Sequence, residues 1–293
     1  MPAAIEPAER DPLAAALARK ASNGEPGRIE ARLLAAGQAW QAYDIVCSCG
    51  PRDRPFEERH ATASISLVLS GTFACRSQSG ECLLSPGAWF LVNADAPIEC
   101  SHQHGEGDRC LSFQFDAEAF ARLAHEAGAA RDPFARQALP PLRAHAPLVA
   151  RALRAMERGE AVEEIAFEVA GSIVRAAAGN GRETSLSRHH AVVARVVRRL
   201  SSATASPHTL ADLADAANMS PYHFLRTFKS ITGVTPHQWL LRARLRDAAK
   251  RLASSRTPIT AIALDVGFED LSNFIRSFRA EFGLSPRQYR AAA

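Results

Sequence analysis

Two stretches of the chain, fifty residues apart, carry the same skeleton. Phe224, Arg226, Phe228, Gly233 and Pro236 in "FLRTFKSITGVTP" recur as Phe274, Arg276, Phe278, Gly283 and Pro286 in "FIRSFRAEFGLSP". Upstream, Leu213-Ala214 recurs as Ile262-Ala263 at an offset of 49, so the turn of the second copy holds one extra residue. Such self-similarity marks one supersecondary unit built twice. Each copy reads as a short helix, a tight turn and a second helix. The end signals agree. Thr209 is placed to cap one helix, with Asp212 at its third position, and Ser220 to cap the next, with Pro221 at its first position and Gly233 as its stop.

At about 100° per residue, Phe224, Phe228 and Ile231 fall on one side of the second helix, and Tyr222, Arg226 and Lys229 on the other, with Leu225 at the margin. In the second copy Phe274 and Phe278 face inward, Ser272, Arg276 and Arg279 outward, and Ile275 lies at the margin. The inward face is constant and predicts a core. The outward face varies, as two scaffolds reading two stretches of DNA require. Arginine bonds guanine edges bidentately, while tyrosine, leucine and isoleucine pack on thymine methyls. The helix N-termini offer backbone N–H groups to phosphates. A basic helix over His237–Ser254, about 27 Å long, has the length to set the two units apart toward successive major grooves.

Charge is divided accordingly. Leu186–Ala293 holds 16 Lys and Arg against 7 Asp and Glu, a net +9, and the rest of the chain is −5. A basic block on an acidic one points to a polyanionic partner.

The residues "LADLADAANMSPYHFLRTFKSITGVTPHQWLLRARLRDAAKRL" and "ITAIALDVGFEDLSNFIRSFRAEFGLSPRQYR" resemble the DNA-binding domain of AraC/XylS-type bacterial transcription regulators. The resemblance covers about the last 100 residues and implies two helix-turn-helix units on one connecting helix. It further implies double-stranded promoter DNA as a partner, and activation through contact with RNA polymerase. By motif position the base-reading roles fall on Tyr222, Leu225 and Arg226, and on Leu271, Ser272, Ile275 and Arg276. Phosphate contacts are expected from Ser220, Lys229, Arg279 and Arg287. Leu271 and Ile275 stand where polar residues are common, so the first copy is expected to carry more of the sequence preference.

The first half reads differently. From Ala39 to Phe115 short apolar or alternating runs ("YDIVCSC", "SISLVLSG", "AWFLVN", "RCLSFQF") are separated by turn signals ("GPRDRP", "SPG", "NADAP", "HGEGD"), which predicts a sandwich or barrel. Amphipathic helices follow, beginning with Asp116–Gly128, where Asp116 is the N-cap candidate. The fold class expected is α+β in two domains. Residues 1–27 form a poorly ordered tail with a short helix at Asp11–Ala21, and 28–115 a β sensor domain. Residues 116–179 are a helical dimerisation segment, 180–187 a linker, and 188–293 the double helix-turn-helix. The β domain is similar to the cupin-type sensors of such regulators, which implies an effector, small molecule or metal, and a homodimer.

The ligand pattern of cupin metalloenzymes is broken. His60 lies near a first-motif position, Ser64 takes a glutamate-like position, and no histidine follows "SPGAW". One cluster remains, "CSHQHGEGDRC". Cys100, His102 and His104 share a strand face, and Cys110 could return on the next strand. Thiolates and imidazoles suit zinc or another transition metal, which would make the chain a metal- or thiol-responsive regulator. "CSC" (Cys47, Cys49) repeats the same-face logic and could lie nearby. The competing reading of these cysteines is small core hydrophobes. No other cofactor is expected, and no catalytic residue. A cupin metalloenzyme and a DNA-repair thiol transferase are the rival classes. No run of about 18 apolar residues is present, so no membrane span is expected. Six cysteines in the N-terminal half without a secretory signal predict reduced thiols in a cytoplasm.

Overall fold

The computed structural model describes residues 11–103, 105–129, 133–158, 162–178 and 187–292. Helix α1 (Pro12–Asn23) starts where Asp11 Oδ1 accepts the Leu13 N–H at 3.1 Å, and stops at Gly24 in the left-handed conformation. It falls on the stretch Asp11–Ala21 where a short helix is expected. Leu13 and Ala16 are buried against Val46 on the barrel, because the apolar side of this short helix has a strand surface to cover.

Strands β1 (Ile29–Ala36), β2 (Trp40–Cys47), β3 (Phe56–Arg59), β4 (Thr62–Gly71), β5 (Phe73–Ser77), β6 (Gly80–Leu84), β7 (Trp89–Val92), β8 (Pro97–Ser101), β9 (Asp108–Asp116) and β10 (Ala138–Leu139) build two antiparallel sheets. The larger runs β1-β2-β9-β4-β7-β10, the smaller β3-β8-β5-β6. Side-chain alternation divides the larger sheet between two cores. Val68, Phe90, Val92 and Cys110 point toward the smaller sheet and meet Phe73, Leu84, Ile98 and Cys100. Ile65, Leu67, Trp89, Leu91, Leu111, Phe113 and Phe115 point the other way, under helices.

Those helices are α2 (Ala117–Glu126), α3 (Ala146–Arg158) and α4 (Val162–Ala178). Ile165, Val169, Ile173 and Val174 of α4 are buried in the same core as Phe113 and Phe115. Asp116 makes no side-chain cap bond on α2. Its backbone is still committed to the sheet, with its N–H on the Ala39 carbonyl at 3.1 Å. The linker expected at 180–187 lies outside the described residues except for Ser187, which already begins α5 (Ser187–Ser202).

Helices α6 (Leu210–Ala216), α7 (Pro221–Thr232), α8 (Pro236–Ser254), α9 (Ile259–Asp265), α10 (Leu271–Phe282) and α11 (Pro286–Ala292) complete the chain. Thr209 and Asp212 exchange side-chain and backbone bonds in a capping box on α6. Gly233 and Gly283, at φ 75° in both cases, close α7 and α10. Phe224 and Phe228 pack in one core, Phe274 and Phe278 in the next, all four at 0% exposure. No described helix is long and apolar enough to cross a membrane.

Candidate functional site

On α7, Ser220 is the N-cap, accepting the His223 N–H at 3.3 Å, and this leaves its own O–H able to donate outward. Arg226 and Lys229 are exposed on the helix face opposite Phe224 and Phe228, and Leu225 is half-buried at the margin. Tyr222 sits in the first turn of the same helix. On α10, Asp270 caps by accepting the Ser272 and Asn273 N–H groups at 3.0 and 2.8 Å. Ser272, Arg276 and Arg279 are exposed, and so are Leu271 and Ile275, at 37% and 39%. Arg276 leans on Asn273 Oδ1 at 3.4 Å. Ser272, Ile275, Arg276 and Arg279 line one shallow groove. Arg287 is exposed on α11.

The helical half is docked onto the β half. Leu83 of β6 is buried in the core of the first unit with Val193, Phe224 and Trp239. Ala150 of α3 is buried in the core of the second with Phe274 and Phe278. Glu81 approaches His190 at 3.6 Å, and Arg242 donates to the Pro141 carbonyl. Between the halves lies a cavity of about 680 Å³. Leu67, Trp89 and Leu111 of the large sheet form one wall, His145, Val149 and Leu153 another, and Arg246, Lys250, Phe282 and Tyr289 of the helical half the third. Desolvation lowers Arg246 to about 10, opposed by Glu281, so its guanidinium stays charged at neutral pH. At the cavity rim Asp44 receives Arg109 at 2.8 Å and Arg32 at 3.0 Å. Burial would raise its carboxyl, but the two arginines outweigh that and hold it below the usual range.

All six cysteines are buried, with no disulfide among them. Cys100 faces Cys75, its cross-strand partner on β5, and Cys75 faces Cys82 on β6, so these three form a thiol row inside the barrel. Cys110 donates to Asp108 Oδ2 at 3.2 Å. His102 stands with Cys47 and Cys49, the donor atoms of all three lying within 4.8 Å of one another. Of the expected set Cys100, His102, His104 and Cys110, His102 and Cys110 share the Asp108 carboxylate, His102 Nε2 lying 2.6 Å from Oδ1 and Cys110 Sγ 3.2 Å from Oδ2, and Cys100 is buried in the thiol row. His104 lies outside the described residues. His60 is engaged with Glu58 at 2.8 Å, which raises its pKa.

Residues 48–170 match the family described as the AraC-like ligand binding domain, and residues 213–292 match a helix-turn-helix domain family, together more than half of the chain. The chain belongs to the AraC family. Among curated relatives, it is 37% identical over 82 residues to the "RCS-specific HTH-type transcriptional activator RclR" of Escherichia coli, covering 28% of this chain and 29% of that protein. It is 39% identical over 85 residues to the "bifunctional transcriptional activator/DNA repair enzyme Ada" of the same organism, covering 29% and 24%. The AraC-family chain thus spans only about a quarter to a third of the length of these relatives. Among solved structures, the DNA-binding domain of AdpA in complex with a target DNA shares 34% identity over 34% of this chain and 90% of that one, with a TM-score of 0.33.

The sequence reading put Cys47 and Cys49 near the cluster that holds His102, and the donor atoms of these three residues do lie together. One feature of this AraC-family chain escaped that reading. The cavity draws on both halves, and its lining residues look like ordinary core and surface positions when read one at a time.

Proposed function

We propose that this AraC-family chain is a sequence-specific DNA-binding transcription regulator, an activator governed by an effector in its N-terminal half. One observation carries the reading. The buried faces of α7 and α10 repeat each other, while their exposed faces are basic and differ. Tyr222, Leu225 and Arg226 would read bases in one major groove, and Leu271, Ser272, Ile275 and Arg276 in the next. Ser220, Lys229, Arg279 and Arg287 would hold phosphates. RNA polymerase beside a promoter would be the second partner, residues 116–179 would join two copies, and the cytoplasm would be the place of action.

The interdomain cavity suits the effector. A small molecule with an apolar body and one anionic group would meet Leu67, Trp89, Leu111 and Phe282 together with Arg246 and Lys250. It would touch both halves at once, and a ligand shifts an arrangement only through contacts that differ between arrangements. We infer no catalytic role. Thiol chemistry needs an accessible thiolate of lowered pKa, whereas burial pushes the Cys47, Cys49 and Cys110 thiols up.

The test is selection of genomic fragments by the purified full chain, followed by titration of the selected site at several salt concentrations. A shared sequence should emerge, with log affinity falling linearly against log salt, at a slope of roughly −0.9 per phosphate neutralised. Fragments without a common sequence would leave only non-specific polyanion binding and end the proposal.

A further inference from the structure

We propose that Cys47, Cys49 and His102 form a binding site for a thiophilic metal ion of the Zn²⁺ class, with Asp108 orienting the histidine. The three donors lie within 4.8 Å of one another and all three residues are buried. Burial alone does not make a ligand, and the decisive feature is the ring of His102. Its Nε2 is 2.6 Å from Asp108 Oδ1, and its Nδ1 is buried with no hydrogen-bond partner. An acidic partner fixes the proton on Nε2 and leaves a lone pair on Nδ1. That is the state a metal-bound histidine takes, its other nitrogen donating to a carboxylate. A buried imidazole nitrogen left unpaired otherwise costs stability with nothing in return.

The scaffold around the trio is held in place. Cys47 is the last residue of β2 and pairs in register with Asp108, the first of β9. Cys49 lies two residues on, its carbonyl accepting the Gly107 N–H at 2.7 Å. The loop after it is fastened by Asp53, which takes the Gly27 and Gly50 N–H groups at 2.9 and 2.7 Å, and by Lys20, which reaches Asp53 and the Ser48 carbonyl. Helix α1 closes over the same end of the barrel.

Two thiolates and one imidazole favour zinc or copper(I) over magnesium or calcium. The divalent ion is preferred on charge: binding Zn²⁺ releases one proton from each thiol to solvent, and the dithiolate then neutralises the ion. The other thiol row, Cys75, Cys82 and Cys100, makes no such group with a histidine among the described residues, and serves as an internal control.

The site stands apart from the DNA-binding reading, and its test uses no DNA. The full chain, stripped with chelator under reductant, is titrated with Co²⁺ and then with Zn²⁺. One equivalent of Co²⁺ should raise a thiolate-to-cobalt charge-transfer band that Zn²⁺ abolishes. Cys47→Ser and Cys49→Ser should each lose the band, Cys75→Ser should keep it, and Asp108→Asn should weaken binding about 10- to 100-fold. X-ray absorption on the Zn²⁺-loaded wild type avoids any folding defect in the variants, and should show two sulfur neighbours at about 2.3 Å. A wild type without the band, a band that survives Cys47→Ser, or a zinc shell of oxygen and nitrogen alone would overturn the assignment. So would thiols that oxidise while the metal-stripped chain gains no affinity for either ion.

Discussion

Arg226 and Lys229 stand three residues apart on one exposed face of α7, yet the proposed complex asks different things of them. Arg226 is in the first half of the helix, where a guanidinium reaches base edges. Lys229 is in the last turn, nearer the backbone. Arg226→Ala should therefore relax preference at one base pair and cost about 1–3 kcal/mol on the preferred sequence only. Lys229→Ala should weaken binding on every sequence alike and reduce the salt slope by about 1. Competition titrations of single-base operator variants at two salt concentrations separate the two. If both substitutions gave the same uniform loss, the assignment of Arg226 to a base would fail. The equivalent change on α10, Arg276→Ala, should cost less sequence preference than Arg226→Ala, because Leu271 and Ile275 flank it with apolar surface rather than hydrogen-bonding groups.

The two helix-turn-helix units were legible because their signals are local. Caps, stops and the Phe pair at i and i+4 each act within one or two turns, and the second copy checks the first. Strand pairing was less so. β1 and β10 are edge strands, one largely exposed and one only two residues long, so neither leaves a clear alternation. The copies also differ in a way the skeleton hides. Gly233 and Gly283 share φ 75°, and a side chain at either meets the left-handed penalty of about 1–2 kcal/mol. A Cβ on Gly283 would only touch Pro147 at 3.8 Å, whereas on Gly233 it would collide with Pro140 of the other half. Gly233→Ala should thus destabilise by about 1–3 kcal/mol more than Gly283→Ala. Denaturant titration of both variants decides it, and equal losses would mean that the Pro140 contact is not made in solution.

At the scale of the whole molecule, the regulator reading needs the halves to be coupled, and the contact that couples them is small. Leu83 leaves the barrel to sit in the core of the first unit, with His190 and Glu81 beside it, while Ala150 enters the core of the second. None of this is legible in the sequence, where Leu83 is one apolar residue in a strand and Ala150 one alanine in a helix. Yet the arrangement leaves Arg226, Lys229, Arg276 and Arg279 exposed, so docking does not by itself cover the proposed DNA face. Leu83→Asp should act on the coupling alone. A carboxylate buried there meets the apolar core of α5 and α7, and undocking restores its hydration. The radius of gyration from small-angle scattering should rise. The salt slope on the selected operator should stay as in the wild type, because no phosphate-facing cation has moved. The change in DNA affinity on adding effector should vanish, since a cavity walled by both halves no longer exists. An unchanged radius together with an intact effector response would show that the Leu83 contact does not carry the signal between them.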